Sequence, residues 1–420
     1  NCAILEDSVF KRGLMLALGV GTLAGNIGAA TPAQESLIDL SDSNNLVQLG
    51  SDERDRYKTA IESIEREQGA FDSSLSEQLL ALGLASQRAG QHREAVDVLR
   101  RGAHIARINR GLYSAQQIPF IKAEIVSLDA LSDQTEADQR QEYLVRLQER
   151  ALTPGVERAQ AWLSHARWQR AAFLRNPSET QFFRLADMLS VLNRALDDLA
   201  DTNQDLLVAE TLHGLLQTYF LVTSFDNSSE RSPFEERASF DENQSQSNFY
   251  EYFRISDRSA PIIIAELVKI QSKLYGETSY EAFHASIQLA DWYLWRDQRR
   301  NANDLYRQID TVIGELPDPE QATALRAELF QNPVLLPDLG GLRLIAPSVP
   351  KEEGNLSITF NVTERGSVRS VERVSVDESV ELAAGRFIRQ LRRAKFRPRV
   401  VAGETVTTEK MEQTYVLPQS

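Results

Sequence analysis

The pattern of apolar and polar positions is clearest between Leu356 and Leu417. Leu356, Ile358, Phe360 and Val362 alternate with polar residues, which places all four on one face of a half-buried strand. Glu364-Arg365-Gly366 reads as a turn, with Gly366 able to take a positive φ. A second strand is predicted from Val368 to Val376, and its apolar order slips between Val371 and Val374, the sign of a bulge. Ser375 and Glu378 then fit a capping box, and Val380, Ala384, Phe387 and Leu391 recur at helical spacing. Phe396-Arg397-Pro398 ends that helix, because proline cannot continue it. Gly403 turns the chain into a last strand, Thr405 to Leu417. The predicted order is strand, strand, helix, strand.

Upstream the period changes to that of helices, from Ser51 to Ile313. Tyr57, Ala60, Ile61 and Ile64 mark a helix that stops at Gly69, and Ser74 with Glu77 suggests a second capping box. Between Leu79 and Ala103 the small residues Gly83 and Ala95 let two antiparallel helices approach, and Gly90 permits the turn between them. This hairpin resembles a tetratricopeptide repeat, with Leu79 and Ser86 where that family favours tryptophan and tyrosine. Asn109–Tyr113 starts the next unit, helices continue over 142–152 and 158–173, and Pro154 and Pro177 punctuate them. A later hairpin runs Ser279–Trp295, turns over 296–300, and returns along Ala302–Ile313. Its Trp292, Trp295 and Tyr306 fit either inter-helix packing or an aromatic binding box. Residues 224–258 are polar and acidic and read as a mobile loop, with Phe249, Tyr250, Tyr252 and Phe253 docking its far end.

The predicted divisions are therefore 1–33, 34–316 (helical), 317–350 and 351–420. Six of the fourteen prolines fall in 317–350, so that stretch reads as a stiff, extended linker joining parts that fold separately. The first division has a basic pair, Lys11-Arg12, an apolar stretch from Gly13 to Ala24, and small residues at Gly28-Ala29-Ala30 and Ala33. Those are the parts of a secretory signal peptide cleaved after Ala30 or Ala33. The apolar core is about a dozen residues against the ~20 that span a bilayer, and the rival reading is an inner-membrane anchor through 13–34. Cys2 lies before the apolar stretch, so the mature chain is expected to be free of cysteine and of disulfides.

Charge refines the picture. The formal net charge of −14 excludes nucleic acid as the main partner. It is unevenly placed, because the residues from Gly341 onward carry a net +3 and the body before them −17. Much of the positive charge belongs to the C-terminal helix, at Arg386, Arg389, Arg392 and Arg393. That face is either simply solvated or attracts acidic headgroups, cell-wall polymer or an acidic peptide.

Gly366-Ser-Val368, Arg392-Arg393-Ala-Lys-Phe396-Arg-Pro398 and Gly403-Glu-Thr-Val406 resemble the C-terminal domain of TonB, over about the last seventy residues. That family transduces energy to transporters of the outer membrane, so the resemblance implies a periplasmic protein that engages such a transporter or another envelope protein. The linker here is far shorter than the family's proline-rich spacer. The expected architecture is a tetratricopeptide-like all-α superhelix followed by a small α+β domain.

Candidate chemistry is sparse. His92, His104, His165, His213 and His284 have no metal-ligand spacing, and neither a serine elbow nor a phosphate-cradling loop occurs, so neither cofactor nor enzymatic activity is expected. Asp291 reads as an inter-helix hydrogen-bonding residue. The expected function is partner binding by β-strand addition along the last strand, through Val406, Thr408, Lys410, Gln413 and Tyr415. No later strand covers it in the sequence, and Thr407, Glu409 and Glu412 give it the polar character of a guarded edge. Arg386, Arg389 and Arg393 supply the basic face, and Gln87 and Arg88 a second contact on the concave helical surface. The alternative is a tetratricopeptide scaffold for envelope or cell-wall assembly, with no transport role.

Overall fold

The computed structural model describes residues 43–175, 181–224 and 240–418. Thirteen helices are described: α1 (Ser43–Gln68), α2 (Leu75–Arg88), α3 (His92–Arg110), α4 (Ile118–Ala130), α5 (Gln134–Ala151), α6 (Val156–Arg175), α7 (Phe182–Leu199), α8 (Asp205–Ser224), α9 (Phe240–Tyr275), α10 (Tyr280–Trp295), α11 (Arg299–Gly314), α12 (Pro319–Phe330) and α13 (Glu381–Arg393). The strands are β1 (Val334–Leu335), β2 (Ser348–Val349), β3 (Leu356–Val362), β4 (Val368–Val376), β5 (Phe396–Arg397), β6 (Arg399–Val401), β7 (Glu404–Val406) and β8 (Thr408–Tyr415). Residues 43–168 with 194–202 form one compact unit, and the other described residues form a second. The expected export signal, 1–33, lies outside the described residues.

The first unit is built of antiparallel helix hairpins, tetratricopeptide-like in their pairing. Gly83 of α2 faces Leu99 of α3 so closely that a Cβ there would lie 2.5 Å from the leucine side chain. Gly90 takes φ +72° in the turn between them, as its position in the hairpin requires. Leu75, Leu79, Leu82, Leu99, Phe120, Ile121, Leu144 and Leu147 interlock into one apolar core across α2 to α5. Beside it the carboxylate of Glu124 is buried and satisfied on both oxygens. Arg100 Nε donates to one at 2.6 Å and Arg140 Nε to the other at 2.8 Å. The capping box expected at Ser74 does not form; its hydroxyl bonds Asp72 and Gln68 instead.

In the second unit α8, α9, α10 and α11 pack in succession. Ser279 caps α10 by accepting the Ala282 N–H at 3.1 Å. Trp292 and Trp295 stand edge-on to Phe220 of α8, with ring centroids 5.0 and 5.4 Å away, and Tyr306 meets Phe330 in the same way. The aromatic residues of this hairpin are packing groups, not a binding box. The mobile loop expected over 224–258 is helical from Phe240 onward, where α9 begins, and residues 225–239 lie outside the described ones. Tyr252 packs edge-on against Phe182, and the Arg296 guanidinium lies over Phe253, so these two aromatic residues dock the far end of the segment as expected.

The C-terminal residues give the expected strand, strand, helix, strand as β3, β4, α13 and β8, with further short strands. One antiparallel sheet has the order β2-β8-β3-β4; β1 pairs with β5, and β6 with β7. Leu356, Ile358, Phe360 and Val362 are fully buried against Ala384, Phe387, Ile388 and Leu391 of α13. The predicted bulge is real and double, with register shifts on either side of Ile358 and Thr359 and with Ser370 at φ +50°. Ser375 stays in β4 opposite Ser357, and Asp377 precedes the helical turn Glu378–Val380, so the capping box expected at Ser375 is also absent.

The linker is the main correction. Residues 317–350 are no free spacer: α12 occupies 319–330, and Leu325, Leu329, Phe330, Leu336, Leu339 and Leu342 are buried. Apolar residues placed between the prolines have a core to enter, which outweighs the stiffness that composition suggested. The C-terminal sheet and the last helices belong to one compact unit.

Candidate protein-interaction site

The last strand is interrupted. Val406 belongs to β7, where it lies opposite Arg399 in a separate hairpin, and Thr407 leaves the ladder to donate its hydroxyl to Glu364 at 2.8 Å. β8 begins at Thr408 and pairs along one side with β3, from Leu356 opposite Tyr415 to Val362 opposite Thr408. Its other side is not wholly open. Ser348 lies opposite Tyr415 and Val349 opposite Thr414, so the chain's own β2 covers the far end. Pro350 has no N–H to extend that pairing, and the chain turns away with Glu353 N–H bonding the Pro350 carbonyl at 3.0 Å.

The expected edge residues therefore differ in what they offer. Lys410 is exposed, at φ +51° in a bulge, and its N–H donates to Asn361 Oδ1 at 2.9 Å. Gln413 is half-buried and accepts the Tyr415 hydroxyl at 2.5 Å. Tyr415 is 3% exposed and its ring lies 4.4 Å from that of Phe387, so its side chain is core. Burial raises the Tyr415 pKa well above the ordinary tyrosine value. Thr408 is half-buried, with a hydroxyl that finds no partner.

Arg386, Arg389, Arg392 and Arg393 are exposed on α13, on the side opposite its buried residues. Leu382, one turn before Arg386, is also exposed. Gln87 and Arg88 fall in the other unit and are engaged within it. Gln87 Nε2 donates to the Ala123 carbonyl at 2.5 Å and to Ser127 Oγ at 2.7 Å, while Arg88 pairs with Glu53 at 2.9 Å. Both hold neighbouring helices together, a role sequence spacing could not distinguish from partner binding. The predicted residues are thus divided between the two units.

What positions the sheet is a polar cluster that the sequence did not reveal. Arg397 of β5 is 1% exposed, and its guanidinium donates to both oxygens of Asp291, to Asp338 at 2.7 Å and to the Leu329 carbonyl at 3.2 Å. The Tyr306 hydroxyl donates to Asp291 at 2.7 Å. His284 Nε2 lies 3.1 Å from Asp338, and because a carboxylate only accepts, that nitrogen carries the proton. Burial alone would raise the Asp338 pKa; the hydrogen bond from His284 and the charge of Arg397 prevail and hold it well below the carboxylate range. Burial likewise opposes the charge on Arg397, and Asp291 with Asp338 overcomes it, raising the Arg397 pKa. Tyr306 is pushed up by burial first and by Asp291 second. Asp291 was legible as an inter-helix group; its partner Arg397 was hidden among exposed arginines of the same basic run. No His, Cys, Asp and Glu cluster among the described residues could hold a metal ion.

No family model matches the chain, and no curated relative matches it. Among solved structures the chain is similar to a kinesin light chain-type protein with nearly identical TPR-like repeats from Podosopora anserina. The crystal structure aligns over 61% of this chain and 97% of that one, at 17% identity and a TM-score of 0.36. A point variant of the same protein aligns over 61% and 96%, at 18% identity and a TM-score of 0.35.

Proposed function

We propose that this protein is a non-catalytic interaction protein of the cell envelope that binds an extended segment of a partner by strand addition to β8. One observation carries the reading: the outer side of β8 takes a strand, because β2 of the same chain pairs there. Main-chain hydrogen bonds would supply affinity and the flanking side chains specificity. The resemblance of 356–417 to the TonB C-terminal domain makes an outer-membrane transporter or another envelope protein the partner class, and the periplasm, reached through the 1–33 signal, the compartment. The TPR-like hairpins fit the same class of protein, a scaffold that binds proteins through packed helices.

The test uses the full chain as bait in envelope extracts, beside a Glu412→Pro variant that removes an N–H from the edge. A transporter or envelope protein held by the parent and lost by the variant supports strand addition. Equal capture by both sinks it and leaves the helical surfaces as the binding site.

A further inference from the structure

The open part of the β8 ladder is very short. The Tyr415 carbonyl accepts the Asn355 N–H at 3.0 Å, so the main chain at Tyr415 faces β3. Facing alternates along an antiparallel strand, so Thr414 and Glu412 turn their main-chain groups the other way. Thr414 is already opposite Val349. On the other flank the bulge breaks the ladder, since Thr408 to Met411 oppose only Phe360 to Val362 and Lys410 N–H goes to the Asn361 side chain. Between bulge and β2, that leaves Glu412 as the residue whose main-chain groups face outward in regular register.

One residue is too little ladder to hold a partner strand. We propose that β2 is a gate: a partner enters by displacing Ser348-Val349 and takes Thr414 and Glu412 together. This rests on strand addition to β8 as the mode of binding. The displaced segment is built to leave. Pro347 and Pro350 bracket β2 and confine it to two residues. Beyond that pairing it is held by Ile345 and Ala346, partly buried against the sheet's core, and by an exposed Lys351–Glu412 ion pair at 2.9 Å, of a kind worth little. The points on either side are firmly fixed. Upstream, Leu339 and Leu342 are buried and Asp338 is bound to Arg397. Downstream, Asn355 exchanges two hydrogen bonds with the backbone of Leu417, both 2.8 Å. Residues 343–353 can therefore swing away while the sheet stays intact.

The same geometry specifies the incoming segment. It is extended and antiparallel to β8, it lacks proline opposite Thr414 and Glu412, and it carries Lys or Arg opposite Glu412, where Lys351 stands when the gate is closed.

The probe is a peptide copying residues 344–353, with cysteine in place of Val349 and valine in place of Pro350, so that its ladder reaches Glu412. The protein is the full chain with Cys2→Ser and Thr414→Cys, tested with the native β2 and with Ser348→Gly/Val349→Pro. A scrambled peptide is the control. Disulfide formation should be about tenfold faster or more with the opened variant, the factor expected for a gate open a tenth of the time or less. Equal rates in both proteins, each above the scrambled control, overturn the gate and leave strand addition standing. No peptide-specific reaction even with the opened variant, while a small thiol reagent labels it, overturns strand addition itself.

Discussion

Arg397 of β5 and Asp291 of α10 are 106 positions apart in sequence and share two hydrogen bonds, 3.0 and 2.7 Å long. Both side chains are sealed from water, at 1% and 2% exposure. The pair joins β5 to α10 with a buried ion pair, although the burial of charge is usually avoided. Removing one member leaves the other buried with fewer partners: among the described residues Asp291 keeps only the Tyr306 hydroxyl, and Arg397 keeps Asp338 and the Leu329 carbonyl. Arg397→Ala or Asp291→Ala should each cost about 3–5 kcal/mol. Arg397→Met with Asp291→Leu should cost less than either single change, since Asp291 and Arg397 are then both neutralised and Asp338 keeps His284 as a partner. Urea denaturation of the three variants measures this, and a double variant as unstable as the sum of the singles would contradict it.

The same packing predicts that residues 351–420 do not fold by themselves. Phe396 and Arg397 would lose the Leu335 pairing, Asp291 and Asp338, and Lys395 would lose the Trp295 carbonyl it bonds at 2.8 Å. The isolated fragment should give a collapsed amide spectrum, whereas a chain beginning at 203 should retain dispersed resonances for β3, β4 and β8.

His213 gives a pH dependence with a definite sign. Burial first, and the neighbouring His284 second, lower its pKa in the folded protein, with Glu210 opposing. Above the unfolded histidine value of about 6.5 both states are neutral and stability is constant. As pH falls below that value the unfolded chain takes up a proton that folded His213 refuses, so stability declines. Denaturation midpoints at pH 7.5 and 5.5 should therefore differ more for the parent than for His213→Gln. Equal differences would show that His213 does not contribute.

Gly102 of α3 lies against the Phe120 ring, with no room for a Cβ. Gly102→Ala should destabilise the first unit by about 1–3 kcal/mol through overpacking, despite the better helix propensity of alanine. Adding Phe120→Leu should recover part of that loss, since the smaller side chain vacates the contact. Thermal melts of both variants test this, and an alanine variant more stable than the parent would show that the helices move apart freely.

Periodicity made the secondary structure legible wherever one face was buried. The alternation at Leu356–Val362 and the spacing Val380–Leu391 both located elements whose apolar residues now form one core. The α10–α11 hairpin was readable for the same reason. Tertiary placement was not readable. Leu329, Phe330 and Leu336 sit among prolines, and nothing local shows that a core awaits them. Arg397 has the same local character as Arg399, which is exposed, because only the position of Asp291 in space separates them. The expected free edge of β8 is covered at its far end by β2, which was missed because two residues between prolines carry no periodic signal. Glutamine and arginine at 87 and 88 were read as free on similar grounds, whereas both bind adjacent helices.

Ser370 and Lys410 have a further consequence for the protein in a crowded compartment. Each sits at a positive φ, one in β4 and one in β8, the strands that flank β3. A flat sheet with straight margins would let copies join side by side without limit, as in fibrils. Here both margins are bent, and the margin of β4 also carries Arg369, Glu372 and Arg373. Bent, charged margins of this kind oppose the open-ended edge-to-edge pairing of copies that straight margins invite.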